Sequence, residues 1–464
     1  MPCSITRNST LRDPIMTNRR LVYDYGRAKF DDLRKRLTDM DICSLMRNNV
    51  TETSIDDDWS IWKNTVMTAV HNCIPTKYID LRRSPPWITP NILHQIRKKA
   101  TARKKFLHKG TDYLKEKFSR LRSEVKKVIQ ESRESFFASL GSFLKVNPNR
   151  FWSVFKFNSS SGNIPNSVSR FDNNNPGSRL QANTPSVLAN THIATMFNEY
   201  FQSVYTCFKD LSPSFQPDSS SPLSSISSID LSVEVFQALQ NLDPSKAHGP
   251  DGFPSRILKE CAFQLAPSLH HLFTKSLCLS QVPAEWKLAN IVPLHKKGQK
   301  DHVENYRPIS LLSIISKVLE RCVLNHVSYH IQSNINSAQY GFVNGKSSTA
   351  QLLSILNIIG KNLDKGLQTD VVFMDIAKAF DTVDHSKLLQ KLQEFGFSGS
   401  LLLWFKDYLS GRFQRVTVHG ATSTTLSITS GVPQGSLLGP FLFSVYISDL
   451  PSYVSSIYWG RTVC

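Results

Sequence analysis

The sequence predicts an α+β chain in which a basic helical region precedes a larger half of mixed helices and strands. Three observations carry that reading. Positive charge is concentrated at helical spacing between Arg97 and Lys127. Two short apolar runs, Ala289 to Leu294 and Val371 to Met374, read as strands and are each followed by turn residues. Beyond residue 229 apolar segments alternate with Gly/Pro punctuation, the texture of a packed domain. The 464 residues are 40% hydrophobic, enough for a sizeable core, and the net charge of +18 points to a polyanionic partner. No run approaches the ~18 apolar residues of a membrane helix, so no membrane partner is expected. The first residues, Met1-Pro2-Cys3-Ser4-Ile5-Thr6-Arg7, hold no apolar secretory core. The eight cysteines form no C-x-x-C pair and read as reduced thiols. Those features predict a cytoplasmic or nuclear protein that is not secreted.

In chain order, residues 1–92 carry no pattern that assigns a fold. Residues 93–157 form the basic helical region. Arg97 to Lys127 holds thirteen Lys/Arg against three Asp/Glu, more than half of the whole charge excess. It opens after Pro85-Pro86-Trp87-Ile88-Thr89-Pro90, and Leu114, Phe118, Leu121, Val125, Val128 and Ile129 recur near a helical period. The prediction is one long helix, or two broken near Gly110, with Leu140, Leu144 and Asn147-Pro148 at its end. Its lysines and arginines are candidates to meet RNA or DNA phosphates; a solvated charged face is the alternative. Residues 158–228 read as a polar linker, rich in Ser, Asn, Gly and Pro from Asn158 to Pro185 and again from Ser212 to Ser228. Ile193, Met196, Phe197, Tyr200, Phe201 and Val204 place one short amphipathic helix within it.

Residues 229–464 carry the motifs with chemical content. Val371-Val372-Phe373-Met374-Asp375 reads as a buried strand ending in a carboxylate. Such a charge needs a cation or donors: a divalent metal, or the start of the following helix, would serve. Ser430-Gly431-Val432-Pro433-Gln434-Gly435 precedes an apolar helix, as a loop that lets the backbone approach a ligand or as a plain turn. Lys296, Lys297 and Arg307 bracket a short loop and could clamp phosphates, or could be a solvated basic hairpin. Leu401, Trp404, Phe405, Tyr408 and Leu409 fit the apolar face of a core helix.

Five strings stand in a fixed order: Gly249-Pro250-Asp251-Gly252, Tyr306-Arg307-Pro308-Ile309, Ala338-Gln339-Tyr340-Gly341-Phe342, Phe380-Asp381 and Gly431-Val432-Pro433-Gln434-Gly435. Together they resemble the reverse transcriptases of non-LTR (LINE-type) retrotransposons, from about Ile229 to Tyr453. The resemblance implies right-hand polymerase fingers and a partial palm, an antiparallel sheet backed by helices. It implies two-metal nucleotidyl transfer with Mg²⁺, deoxynucleoside triphosphates, an RNA template and a DNA primer. By resemblance Asp375 is the first metal-binding aspartate, helped by the carbonyl of Ile376. Phe380 matches the aromatic gate against a ribose 2′-hydroxyl. Gln434 and Gly435 match the loop against nucleotide and template. Arg307 with Lys296 or Lys297 matches the triphosphate-holding residues. Gly249 and Gly252 match a template-contacting segment. In the basic region, which resembles the segment preceding such polymerases, Lys98, Lys99, Arg103, Lys104 and Lys105 are the candidate nucleic-acid contacts.

One departure stands against these matches. The family carries an aromatic-Ala-Asp-Asp hairpin beyond the helix that follows Gly435, and no Asp or Glu follows Asp449 here. One carboxylate cannot hold two ions about 4 Å apart, so the expectation is a truncated chain without polymerase activity. A non-catalytic RNA/DNA-binding retroelement remnant is the competing expectation. A phosphate-loop hydrolase is disfavoured because Tyr340 stands where that motif needs glycine. A nucleophile elbow is disfavoured because Gly435-Ser436-Leu437-Leu438-Gly439 has the wrong spacing.

Overall fold

The computed structural model describes residues 19–47, 54–80, 85, 87–139, 164–165, 167–171, 179–183, 187–206, 231–332 and 334–453. The expected helix end at Leu140 to Pro148, the polar stretch Ser212 to Ser228 and the acid-free segment after Tyr453 lie outside them. Two compact units divide the chain: 1–27 with 75–163, and 28–74 with 164–464.

In the first unit, β1 (Arg19–Tyr23) pairs antiparallel with β2 (Thr76–Asp80). The basic region is two helices, α4 (Pro90–Lys109) and α5 (Asp112–Ala138). The Thr89 hydroxyl accepts from the Ile92 amide, and Pro90 supplies a preset φ at the first turn. Gly110 then takes φ +61°, a left-handed cap that costs other residues more, and the chain turns back. Ile92 and Ala102 are buried on α4, Val125 and Phe136 on α5. The proline-rich entry is tied down: the Ser132 hydroxyl donates to the Trp87 carbonyl at 2.7 Å, and Trp87 packs on Phe137.

The second unit begins with α1 (Phe30–Asp39), α2 (Ile42–Arg47) and α3 (Ile55–Cys73). Ser54 and Asp57 form a reciprocal capping box at the start of α3. Trp59 and Trp62 from α3 pack against Phe253 and Trp286. Trp62 Nε1 donates to the Ser268 hydroxyl at 2.9 Å, and Lys275 reaches the buried Asp58 at 2.5 Å. The linker holds an antiparallel pair, β3 (Ser167–Phe171) and β4 (Arg179–Asn183), which its polar composition concealed, and then α6 (Val187–Ser203). Next come α7 (Leu231–Gln240), α8 (Ser255–Glu260), α9 (Ala262–Cys278), β5 (Leu288–His295), β6 (Tyr306–Leu311), α10 (Ile314–Gln332) and α11 (Ser348–Asp364). The remainder is α12 (His385–Glu394), α13 (Gly399–Leu409), β7 (Arg412–Val418), β8 (Ala421–Thr422), β9 (Leu426–Ile428) and α14 (Leu438–Tyr446).

The main sheet runs β6-β5-β7-β8, with β9 also on β7. It is mixed, which corrects the antiparallel expectation: β5 and β7 are parallel, from Leu288 opposite Phe413 to Ile291 opposite Val416. The α10 to α13 segment between them is long enough for the crossover a parallel pair needs. Ile193, Phe197 and Phe201 of α6 cover one sheet face, packing with Ile291, Tyr306 and Val416. Leu401, Trp404, Phe405 and Tyr408 are buried on α13, as their spacing implied.

A second correction concerns the run before Asp375. Residues 371–376 form no strand; Val372 is 80% and Phe373 91% exposed. An apolar run becomes a buried strand only where neighbouring strands take its amides and carbonyls. Among the described residues, none pairs with it. Cys73, Cys261, Cys278 and Cys322 are free thiols; Cys3, Cys207 and Cys464 lie outside the described residues. Among the described residues, no helix is long and apolar enough to cross a membrane.

Candidate functional site

The residues with chemical content gather where three distant segments meet. The first is the turn from Lys378 to Val383 that leads into α12. Lys378 takes φ +53°, and its carbonyl accepts from the Asp381 amide at 2.8 Å. Asp384, not Asp375, caps the following helix, accepting from the Ser386 and Lys387 amides at 2.8 and 3.2 Å.

The second segment is the loop from Ser430 to Ser436. It is fastened to the turn along its backbone. The Gly431 amide donates to the Val383 carbonyl and the Val432 amide to the Phe380 carbonyl, both at 2.8 Å. The buried Ser430 hydroxyl donates to the Asp381 carbonyl at 2.7 Å and accepts from the Thr206 amide at 3.0 Å. His385 Nε2 meets the Gly431 carbonyl at 2.7 Å. Burial holds the His385 pKa below its ordinary value, so a neutral ring donates there from Nε2. Gly431 has φ +86°, and a Cβ would sit 2.6 Å from the Phe380 carbonyl. Glycine is therefore required for this approach.

The third segment is β6. The Ser310 amide donates to the Gln434 carbonyl at 2.9 Å. Gly435, at φ +126°, leaves no room for a Cβ, which would lie 2.6 Å from the Ser310 carbonyl. Arg307 is three residues earlier on β6, roughly 10 Å along the strand, opposite Leu294 of β5. Lys296 and Lys297 are exposed in the turn joining β5 to β6, where the Lys296 amide donates to the Asn305 carbonyl at 2.8 Å.

Phe380 is half-buried, stacked on Phe443 of α14 with centroids 4.9 Å apart and edge-on to Phe342 at 6.0 Å. Thus Phe380, Gln434, Gly435 and the strand of Arg307 converge. Asp375 and Ile376 do not join them: both are exposed in the segment without strand pairing. Among the described residues no group of three or more His, Cys, Asp and Glu side chains could hold a metal ion. Asp375 with the Ile376 carbonyl therefore does not constitute a fitted Mg²⁺ site in the described residues. Asp384 is the fully buried acid of this turn; the half-buried Asp381 has its pKa pushed up to about 6 by desolvation, with Lys378 opposing the shift. Asp449 pairs with Lys391.

Gly249 is buried against the Leu312–Ser313 backbone, where a Cβ would collide, and Gly252 turns the chain at φ +78°. The close packing accounts for Gly249 without a ligand. Between them, Asp251 accepts from the Ser313 hydroxyl at 2.5 Å, and burial raises its pKa. In the other unit, Lys98, Arg103, Lys104 and Lys105 are exposed on α4 and Lys99 is half-buried. No acid occurs within α4, whereas α5 pairs Arg120 with Glu124 and Lys127 with Glu131.

Sequence reasoning passed over Ser310, Ser430, His385 and Glu320. The last is a buried acid on α10, standing among Val318, Leu319, Cys322 and Val323. A lone carboxylate inside an apolar helical run was the available signal.

Residues 294–463 match the reverse transcriptase (RNA-dependent DNA polymerase) family. The chain is 28% identical over 410 residues to the RNA-directed DNA polymerase from mobile element jockey of Drosophila melanogaster, covering 86% of this chain and 44% of that protein. It is 33% identical over 221 residues to the probable RNA-directed DNA polymerase from transposon BS of Drosophila melanogaster, covering 47% and 24%. Against the Pol polyprotein from type-1 retrotransposable element R2 of Popillia japonica it is 27% identical over 218 residues, covering 47% and 30%. The chain spans less than half the length of each of these relatives. The resemblance to non-LTR retrotransposon reverse transcriptases therefore holds beyond the short motifs that first suggested it.

Proposed function

We propose that this chain, matching reverse transcriptases over 294–463, is the nucleotide- and template-holding part of a non-LTR retrotransposon RNA-directed DNA polymerase. Its substrates are deoxynucleoside triphosphates, an RNA template and a DNA primer. The observation that carries this reading is the convergence of the Phe380 turn, the Gln434–Gly435 loop and the strand of Arg307 through main-chain hydrogen bonds. These main-chain bonds use none of the Phe380, Gln434 or Arg307 side chains.

In this reading Arg307, Lys296 and Lys297 hold the triphosphate, since guanidinium and ammonium groups suit phosphate oxygens. The half-buried Phe380 ring blocks a 2′-hydroxyl. Gln434 and Gly435 lie against the incoming nucleotide, and the Gly249–Gly252 turn lies toward the template. On α4, Lys98, Lys99, Arg103, Lys104 and Lys105 bind backbone phosphates, with no acid on that helix to compete. Two-metal nucleotidyl transfer needs further carboxylates beside Asp375, and no such group occurs among the described residues. We therefore assign binding, and no reaction step, to the described residues.

The test combines template–primer binding across a salt series with primer extension in Mg²⁺ or Mn²⁺. The expected result is salt-sensitive binding without extension. Replacing the five α4 bases by alanine should flatten the salt dependence, by up to about 4 in log–log slope if each meets one phosphate. Absence of binding, or extension that persists in Asp375→Ala, overturns the reading. Extension that disappears in Asp375→Ala would keep the polymerase reading and remove the expected inactivity.

A further inference from the structure

Glu320 lies 1% exposed on α10, and burial pushes its carboxyl above the usual range. A carboxylate so placed is costly unless donors surround it. Its donors are specific. Oε2 accepts from the Leu437 amide at 2.7 Å and from the Leu438 amide at 3.4 Å, the free N–H groups that open α14. Oε1 lies 3.5 Å from the Ser316 hydroxyl. Arg412 and Lys317 are close enough to favour the charged form.

These contacts fix one end of a short loop whose other end is already fixed. Gln434 is tied to β6 through the Ser310 amide at 2.9 Å. Leu437, three residues on, is tied to α10 through Glu320. Between them the Ser436 hydroxyl donates to the Pro433 carbonyl and accepts from the Gly439 amide, closing the turn on itself. Gln434 is half-buried and Gly435 exposed, so the segment held between the two ties is the segment left open.

We propose that Glu320 is a positioning residue for the Pro433–Leu438 loop, holding Gln434 and Gly435 in the geometry that receives a nucleoside triphosphate. The proposal rests on the nucleotide-holding reading above. Glu320 touches no ligand; it acts through the Leu437 and Leu438 amides. A carboxyl oxygen from another helix satisfies N–H groups at the helix start that have no partner within the helix, and a buried donor left without an acceptor is costly.

The experiment uses the 464-residue chain and its Glu320→Gln, Glu320→Ala and Arg307→Ala variants. Amide hydrogen exchange reads the loop directly. In Glu320→Ala, peptides covering residues 433–438 should exchange about tenfold faster or more, as expected when buried amides lose their acceptor, while those covering α12 and α13 stay unchanged. Glu320→Gln, which keeps a carbonyl acceptor, should fall between parent and alanine. Binding of a fluorescent deoxyguanosine triphosphate to the template–primer complex should weaken in the same order, with template–primer affinity unaltered.

Unchanged exchange at 433–438 overturns the proposal. So does an increase that spreads equally to α12 and α13, because Glu320 would then be a general stability residue. Parent-like triphosphate binding in Glu320→Ala, with binding lost in Arg307→Ala, overturns the positioning role and leaves the nucleotide-holding reading intact. A parent chain that takes no triphosphate overturns that reading and the role of Glu320 with it, whatever the exchange shows.

Discussion

Residues 371–377 and 378–385 are consecutive, yet the structure treats them in opposite ways. The first segment has six of seven residues apolar, including Phe373, and leaves them in solvent. The second holds Asp381, Asp384 and His385, and is fastened to the Ser430–Val432 loop by main-chain and side-chain hydrogen bonds. Hydrophobicity alone would bury the first and expose the second. The difference teaches that burial here follows available backbone partners. The turn finds donors and acceptors in the loop, whereas no described strand offers them to 371–376.

That contrast is broken most severely at Gly431. Gly431→Ala forces a Cβ against the Phe380 and Asp381 carbonyls at a left-handed φ. Urea unfolding should show a loss of about 3 kcal/mol or more. A loss below about 1 kcal/mol would mean that the loop and turn are not fastened as described. Ser430→Ala should cost less, about 1–3 kcal/mol, because it removes the hydroxyl partner of the Asp381 carbonyl and the Thr206 amide.

Asp381 sharpens the comparison through pH. Its folded-state pKa of about 6 lies above the ordinary 3.8, so the folded chain holds this proton more tightly than the unfolded chain. The contribution favours folding fully below pH 3.8 and is lost as pH rises through about 6. Asp381→Asn should remove that dependence and raise the unfolding midpoint at pH 7. A mutant whose pH–stability curve overlays the parent would show that Asp381 does not hold its proton more tightly in the folded chain. Smallest is the effect expected in the neighbouring segment. Phe373→Ser and Asp375→Ala should each shift stability by less than about 0.5 kcal/mol, the range for surface sites. A loss of several kcal/mol in Phe373→Ser would place that ring in a core and erase the contrast.

Signals in the sequence are legible where they act over a few residues. The helix break at Gly110, one of two alternatives allowed by the sequence, needs only a residue that tolerates φ +61°. The Trp404–Phe405 face follows from spacing within one helix. Phe380 and Gln434 could be singled out by motif, and both lie at the meeting point of the three segments. Glu320, Ser310 and His385 could not, because each acts on a main-chain group far along the chain. Glu320 and Leu437, for example, stand 117 residues apart. Trp59 and Trp62, in a region whose fold the sequence left open, pack against Phe253 and Trp286 for which no periodic signal exists.

By itself the amino-acid sequence determined the basic helical region, the order of the motifs and the glycines on which close approach depends. These follow from charge, period and steric freedom, which are properties of neighbouring residues. Tertiary structure alone decided that β5 and β7 run parallel, that Val371 to Met374 stay in water, and that a glutamate on α10 governs a loop before α14. Each is a choice among distant hydrogen-bond partners, and a linear chain does not record which partner arrives.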